Sequence, residues 1–137
     1  MPDFAYTDFA GRRRHLADGT ARYRLLEFWA TWCGPCVGEV PKLKQAYATY
    51  APRGLEIVGM NNDESADKPR AFLAEKGVIW PNATPESARP LIRRCRISFW
   101  PTAVLLDRDG RVVAADVDMH GDRLLATLER LLPAGKP

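Results

Sequence analysis

Two cysteines stand two residues apart in the run Phe28-Trp29-Ala30-Thr31-Trp32-Cys33-Gly34-Pro35-Cys36. Thiols at this spacing can close a disulfide across one turn and reopen it. An apolar, strand-like segment precedes the pair and a helical pattern follows it. Cys33 is therefore expected at a helix start, where unpaired N–H groups and the helix dipole favour a thiolate. In such settings a cysteine pKa falls from about 8.5 to roughly 3.5–7.5. The chemistry this permits is thiol-disulfide exchange. Cys33 attacks a substrate disulfide, and Cys36 then attacks the mixed disulfide and releases reduced substrate. A C-x-x-C pair is also half of a zinc site. The other half is missing, because only Cys95, His15 and His120 remain and none forms a ligand-like pair. No metal is expected. A disulfide across so short a loop removes little chain entropy, so a purely structural role suits it poorly.

Three acids could act on these thiols. Glu27 sits among Leu25, Leu26, Phe28 and Trp29 in the apolar segment. A carboxylate there loses hydration, which raises its pKa and makes it a candidate proton acceptor for Cys36. The alternative is a structural acid paired with a cation. Glu39 lies three residues after Cys36, on the same helix face, where its charge would oppose thiolate formation. The alternative for Glu39 is an exposed helix glutamate. Glu64, in Asn61-Asn62-Asp63-Glu64, reads as a solvated loop residue.

The elements that must hold these groups follow from periodicity and punctuation. Residues 1–22 read as short strands or loop covering one sheet edge. Residues 24–30 are apolar on both faces, as in the centre of a sheet. Residues 35–50 read as a helix that Pro41 should kink. Gly54 ends this unit, and residues 55–60 form a second buried strand. Residues 68–76 are helical and closed by Gly77. Residues 78–80 are expected as a short strand before Pro81. A helix over 85–94 is capped by Thr84. Strands at 102–106 and 111–117 form a hairpin around Asp107-Arg108-Asp109-Gly110. Residues 121–132 form an amphipathic helix with Leu124, Leu125, Leu128, Leu131 and Leu132 on one side. The order predicts an α/β sandwich with a mixed central sheet.

With Trp32 before the motif and Gly34-Pro35 inside it, the chain resembles the thioredoxin superfamily, whose motif reads W-C-G-P-C. It is most similar to the branch of bacterial thiol-disulfide oxidoreductases that includes the TlpA and ResA proteins and the cytochrome c maturation thioredoxins. The lead-in Leu26-Glu27-Phe28-Trp29-Ala30-Thr31-Trp32-Cys33, the acid at Glu39 and the long stretch between Cys36 and Pro101 carry that match. The stretch is longer than in the short thioredoxins by about a helix and a strand. The resemblance runs from Pro2-Asp3-Phe4 to the last helix. It implies a thioredoxin-like three-layer sandwich with an inserted strand–helix unit, in one domain over 1–137. It places Glu27 where short thioredoxins carry a buried aspartate and this branch more often has asparagine. It makes Pro101 the cis-proline of the fold, turning the Trp100 backbone toward Cys33 so that a substrate strand can pair with it. Trp32, Gly34, Pro35, Trp100 and Pro101 then form the substrate-binding surface. Trp100 replaces the usual aliphatic residue and narrows the groove. Gly34-Pro35 implies a reductant, with a potential nearer about −270 mV than about −120 mV.

The composition fits an ordinary folded chain of 137 residues, 46% apolar and 27% charged. The net charge of +3 is mild, and no basic stretch is interleaved with aromatics, so no nucleic-acid partner is expected. The clusters Arg12-Arg13-Arg14 and Arg93-Arg94-Cys95-Arg96 read as solvated faces. Cys95 reads as a small, partly buried helix-end residue. No run approaches the ~20 apolar residues that span a bilayer. The resemblance nonetheless implies an extracytoplasmic protein whose export segment is absent from this sequence, with a cytoplasmic thioredoxin as the alternative. The expected partners are disulfide-containing proteins and a membrane or soluble thiol donor. A monomer is expected, with no cofactor beyond the Cys33–Cys36 disulfide. A thiol peroxidase on the same fold is disfavoured, because Thr31 lies two residues before Cys33 rather than three and no suitable proline precedes it.

Overall fold

The centre of the molecule, a computed structural model describing residues 3–134, is strand β3 (Tyr23–Trp29). Pro2, at the start of the expected resemblance, lies outside the described residues. Strand β3 pairs in parallel with β4 (Leu55–Asn61) and antiparallel with β6 (Thr102–Asp107). Strand β5 (Asn82–Ala83) extends the parallel side and β7 (Val112–Ala115) the antiparallel side, giving the order β5-β4-β3-β6-β7. Strands β1 (Ala5–Thr7) and β2 (Arg13–His15) form a separate antiparallel pair. That pair meets the β5 edge through a bridge between Asp8 and Ala83. This covers the edge, as residues 1–22 were expected to do.

Alternation along the strands splits the core into two layers. Leu25, Ile57, Leu105 and Ala103 face α1 (Gly34–Tyr50) and α4 (Gly121–Leu131), where they pack with Leu43, Ala46, Leu124 and Leu128. Leu26, Phe28, Val58, Met60 and Leu106 face the other way, onto α3 (Pro85–Arg94) and the β1–β2 pair, through Leu91, Ala88 and Tyr6. The result is the expected three-layer mixed α/β sandwich. The remaining helix, α2 (Asp67–Lys76), ends at Gly77 in the left-handed region, φ 64°. Its Phe72 and Leu73 pack against the cluster formed by Trp29, Cys33 and Cys36.

Two expectations need correction. Residues 78–80 form no strand; the ladder begins only at Asn82. Pro81 has no N–H to give to a ladder, and its carbonyl instead accepts from Gly59 N–H at 2.9 Å. Ile79 is exposed, while Trp80 folds back into the core. The second arm of the hairpin stops at Ala115, not at residue 117. Asp116 turns into the left-handed region, φ 54°, and a short 3₁₀ turn, Asp116–Met119, leads to α4. Pro41 sits inside α1, which runs unbroken around it from Gly34 to Tyr50.

Candidate active site

Cys33 is the N-cap of α1, with extended backbone (φ −97°, ψ 104°). Pro35 occupies the first turn, where its missing N–H costs nothing and its fixed φ suits the helix. The two cysteines are joined in a disulfide with their Cα atoms 5.2 Å apart. Cys36 N–H donates to Cys33 Sγ at 3.2 Å, so the first sulfur already takes up a free helix-end donor. Both cysteines are buried. Cys33 is 5% exposed and Cys36 1%, in a cluster with Trp29 against which Phe72, Leu73 and Trp100 pack. Gly34 and Pro35 between them are open to solvent.

The strand before the motif is held by a network the sequence did not reveal. Trp29 opposes Asn61 in the β3–β4 register, which brings the two following loops together. Asp63, buried, accepts from Thr31 N–H at 3.0 Å, from the Thr31 hydroxyl and from the Asn61 amide at 2.7 Å. The carboxylate thus ties down the residue two before Cys33. Only the register could have singled out Asp63 over its neighbour Glu64, which is exposed, as expected.

Glu27 lies on the α1 face of β3, 6% exposed. Its neighbours across the ladder are Gly59 and Ala103, the small side chains that leave room for it. It lines a cavity of about 10 Å³ with Trp29, Val40, Phe72, Leu73, Trp80 and Asn82. That is about the space of one water molecule. No hydrogen bond or ion pair reaches the carboxyl within the described residues. Burial, with the charge of Glu39 as a smaller contribution, pushes its pKa up to about 8. The cation-paired alternative therefore has no partner here. Beside it, Trp29 Nε1–H donates to Asn82 Oδ1 at 2.8 Å, and a Cβ at position 59 would fall 1.8 Å from that oxygen.

Glu39 is not an exposed helix residue. Its Oε1 accepts from Gly121 N–H at 3.0 Å and lies 3.1 Å from His120 Nδ1. Its hydrogen bonds thus go to the start of α4. His120, which sequence reasoning considered only as an unpaired metal ligand, is brought here by the 3₁₀ turn. Among the described residues no group of three His, Cys, Asp or Glu side chains is arranged to hold a metal.

The rim is aromatic. Trp32 is 59% exposed, and its ring meets Trp100 edge-on at 5.9 Å. Phe99, which the sequence reading passed over, is 79% exposed. The Trp100–Pro101 peptide is cis. Cys95 is free and half-buried at the end of α3, with its pKa raised by burial. No described helix is long and apolar enough to cross a membrane.

Residues 1–119 match the model of the AhpC/TSA family. Over 133 residues the chain is 30% identical to the thiol-disulfide oxidoreductase ResA of Bacillus thuringiensis, covering 96% of this chain and 76% of that protein. It is 33% identical over 135 residues to ResA of Bacillus subtilis, covering 98% and 75%. The thioredoxin domain of a thiol-disulfide oxidoreductase from Bacteroides vulgatus superposes with a TM-score of 0.85 at 25% identity, covering 96% of this chain and 94% of that one.

Proposed function

The chain belongs to the AhpC/TSA family and is a thiol-disulfide oxidoreductase, and we propose that it reduces protein disulfides with Cys33 as nucleophile and Cys36 as resolving thiol. The observation that carries the assignment is Cys33 at the N-cap of α1, its sulfur accepting the Cys36 N–H. The same donor and the helix dipole would stabilise a Cys33 thiolate in the reduced protein. That thiolate attacks one sulfur of the client disulfide; a Cys33–client disulfide forms and the other client sulfur leaves as thiolate. The Cys36 thiol loses its proton and attacks Cys33 Sγ. The Cys33–Cys36 disulfide closes and the second client sulfur leaves. Two electrons pass to the client, and an external thiol donor returns them.

Glu27 is the proton acceptor for Cys36 in this reading. With its pKa near 8, about a tenth of it is ionised at pH 7, and the fraction rises steeply to pH 8. A base so close in pKa to a thiol exchanges the proton with little uphill cost. Glu39 sets the local negative charge. Trp32, Gly34, Pro35, Trp100 and Pro101 form the rim that takes the client strand. The disulfide is the only redox group in this reading, and the protein acts as a monomer on the extracytoplasmic side. The likeness to the TlpA and ResA branch supports that location.

The test is a set of parallel assays on the purified chain. Reduction of insulin with a dithiol donor and a redox potential on the thioredoxin side are expected. A potential near about −120 mV would overturn the reductant role. Dithiol-dependent peroxide consumption without insulin reduction would favour the peroxidase alternative.

A further inference from the structure

The Glu39 carboxylate is held by two groups from the start of α4, and one of them is a titratable ring. The short 3₁₀ turn Asp116–Met119 delivers His120 there. Met119 beside it is buried in the core, and the Thr127 hydroxyl donates to the Asp118 carbonyl at 2.8 Å. The left-handed turn at Asp116 starts the segment. Both partners of the Glu39–His120 pair are partly shielded, with side chains 16% and 30% exposed. A carboxylate at this place also faces the N-terminal end of an 11-residue helix, where negative charge is favoured. Val40, the next residue on α1, lines the Glu27 cavity.

We propose that His120 is a positioning residue for the thiol chemistry: with Gly121 N–H it clamps the Glu39 carboxylate at the α1–α4 junction, and so fixes the negative charge that Glu27 feels. The inference rests on the reading of Glu27 as the proton acceptor only for its catalytic consequence. The clamp itself is a matter of geometry. Without the ring, Glu39 keeps one of its two anchors and can turn toward solvent. Glu27 then feels less negative charge and ionises more readily. The other charged groups at the junction are already engaged or lie on its outer side. Lys42 of α1 pairs with Asp122 of α4 at 2.7 Å, and Arg123 lies 3.9 Å from Asp118. Asp116 is at the far end of the turn. Among the described residues, Glu39 is the charged group that adds to the upward shift of Glu27, after burial.

The experiment is carboxyl NMR titration of Glu27 in the oxidised 137-residue chain, for wild type, His120→Ala, His120→Gln and Glu39→Gln. Glu39→Gln removes the charge outright and sets the full downward shift of the Glu27 midpoint. His120→Ala is expected to reproduce a large part of it, in the same downward direction. His120→Gln, whose amide can donate in place of the ring, is expected to restore most of the wild-type value. The double variant His120→Ala/Glu39→Gln should titrate like Glu39→Gln alone. A Glu27 midpoint unmoved by His120→Ala, or moved upward, overturns the clamp; an upward shift would mean that the ring acts as a cation offsetting Glu39. Because the readout needs no exchange activity, a failed insulin assay would count against the proposed reaction and leave this result standing.

Discussion

Replacing Glu27 with glutamine should stabilise the protein by an amount that grows with pH. Folding carries the carboxyl into a pocket where, among the described residues, no hydrogen-bond partner and no cation meets it, and lifts its pKa from 4.5 to about 8. The unfolded chain ionises it freely above about pH 4.5, whereas the folded chain resists until about pH 8. Stability linked to this group is complete below the lower value and is lost as pH rises through the upper one. Each pH unit between them costs about 1.4 kcal/mol, so the loss is about 1 kcal/mol at pH 5 and about 3 kcal/mol at pH 7. Glutamine is neutral throughout and fits the same space between Gly59 and Ala103. The amide adds at most a constant offset, so the slope with pH carries the argument. Urea unfolding of the oxidised forms at pH 5, 7 and 8.5 measures it. With an m-value of about 1.5 kcal/mol/M, the gap between the two midpoints should widen by about 1–1.5 M from pH 5 to 7. The same variant should slow resolution of the Cys33 mixed disulfide above pH 7, because its amide cannot take a proton. A gap that stays constant across the three pH values would refute the uncompensated buried acid. An unchanged resolution rate would refute its role as base.

Cys33→Ser should abolish exchange, whereas Cys36→Ser should accumulate mixed disulfides visible on a non-reducing gel; the opposite pattern would reverse the two roles. Gly59→Ala should destabilise by about 2–4 kcal/mol, because its Cβ would meet Asn82 Oδ1 and break the bond to Trp29. A wild-type thermal midpoint would show that Asn82 moves aside freely. Asp63→Ala removes the acceptor of two Thr31 donors and the Asn61 amide. It should cost about 2–3 kcal/mol and speed hydrogen exchange at the Thr31 amide, and an unchanged exchange rate would mean that the loop before Cys33 needs no such anchor.

Much of this molecule follows from local sequence signals. The two-sided apolar runs gave the central strands, and Thr84, Gly77 and Gly110 marked ends and turns that the backbone honours. The cysteine spacing, with Pro35 in the first turn, placed the disulfide at a helix start. Glu27 stood out because a charged residue in an apolar strand is anomalous without reference to any neighbour. These features depend on a few consecutive residues, which is why they can be read in one dimension. The same local logic failed at residues 78–80, where an apolar triplet looks like a strand but Pro81 denies it a ladder donor. The remainder was decided by packing between distant segments. Asp63 acts on the motif only because the β3–β4 register sets Asn61 opposite Trp29. Whether Glu27 had a cation could be answered only by the strands and helices folded around it. Glu39 was legible as an acid on the Cys36 face of its helix, but its partners were not: the turn after β7 carries His120 and Gly121 across 81 and 82 residues of chain to bind it. A residue's type and its near neighbours fix its local conformation and intrinsic chemistry, but its charge state and its partners depend on which remote groups the closed core sets beside it.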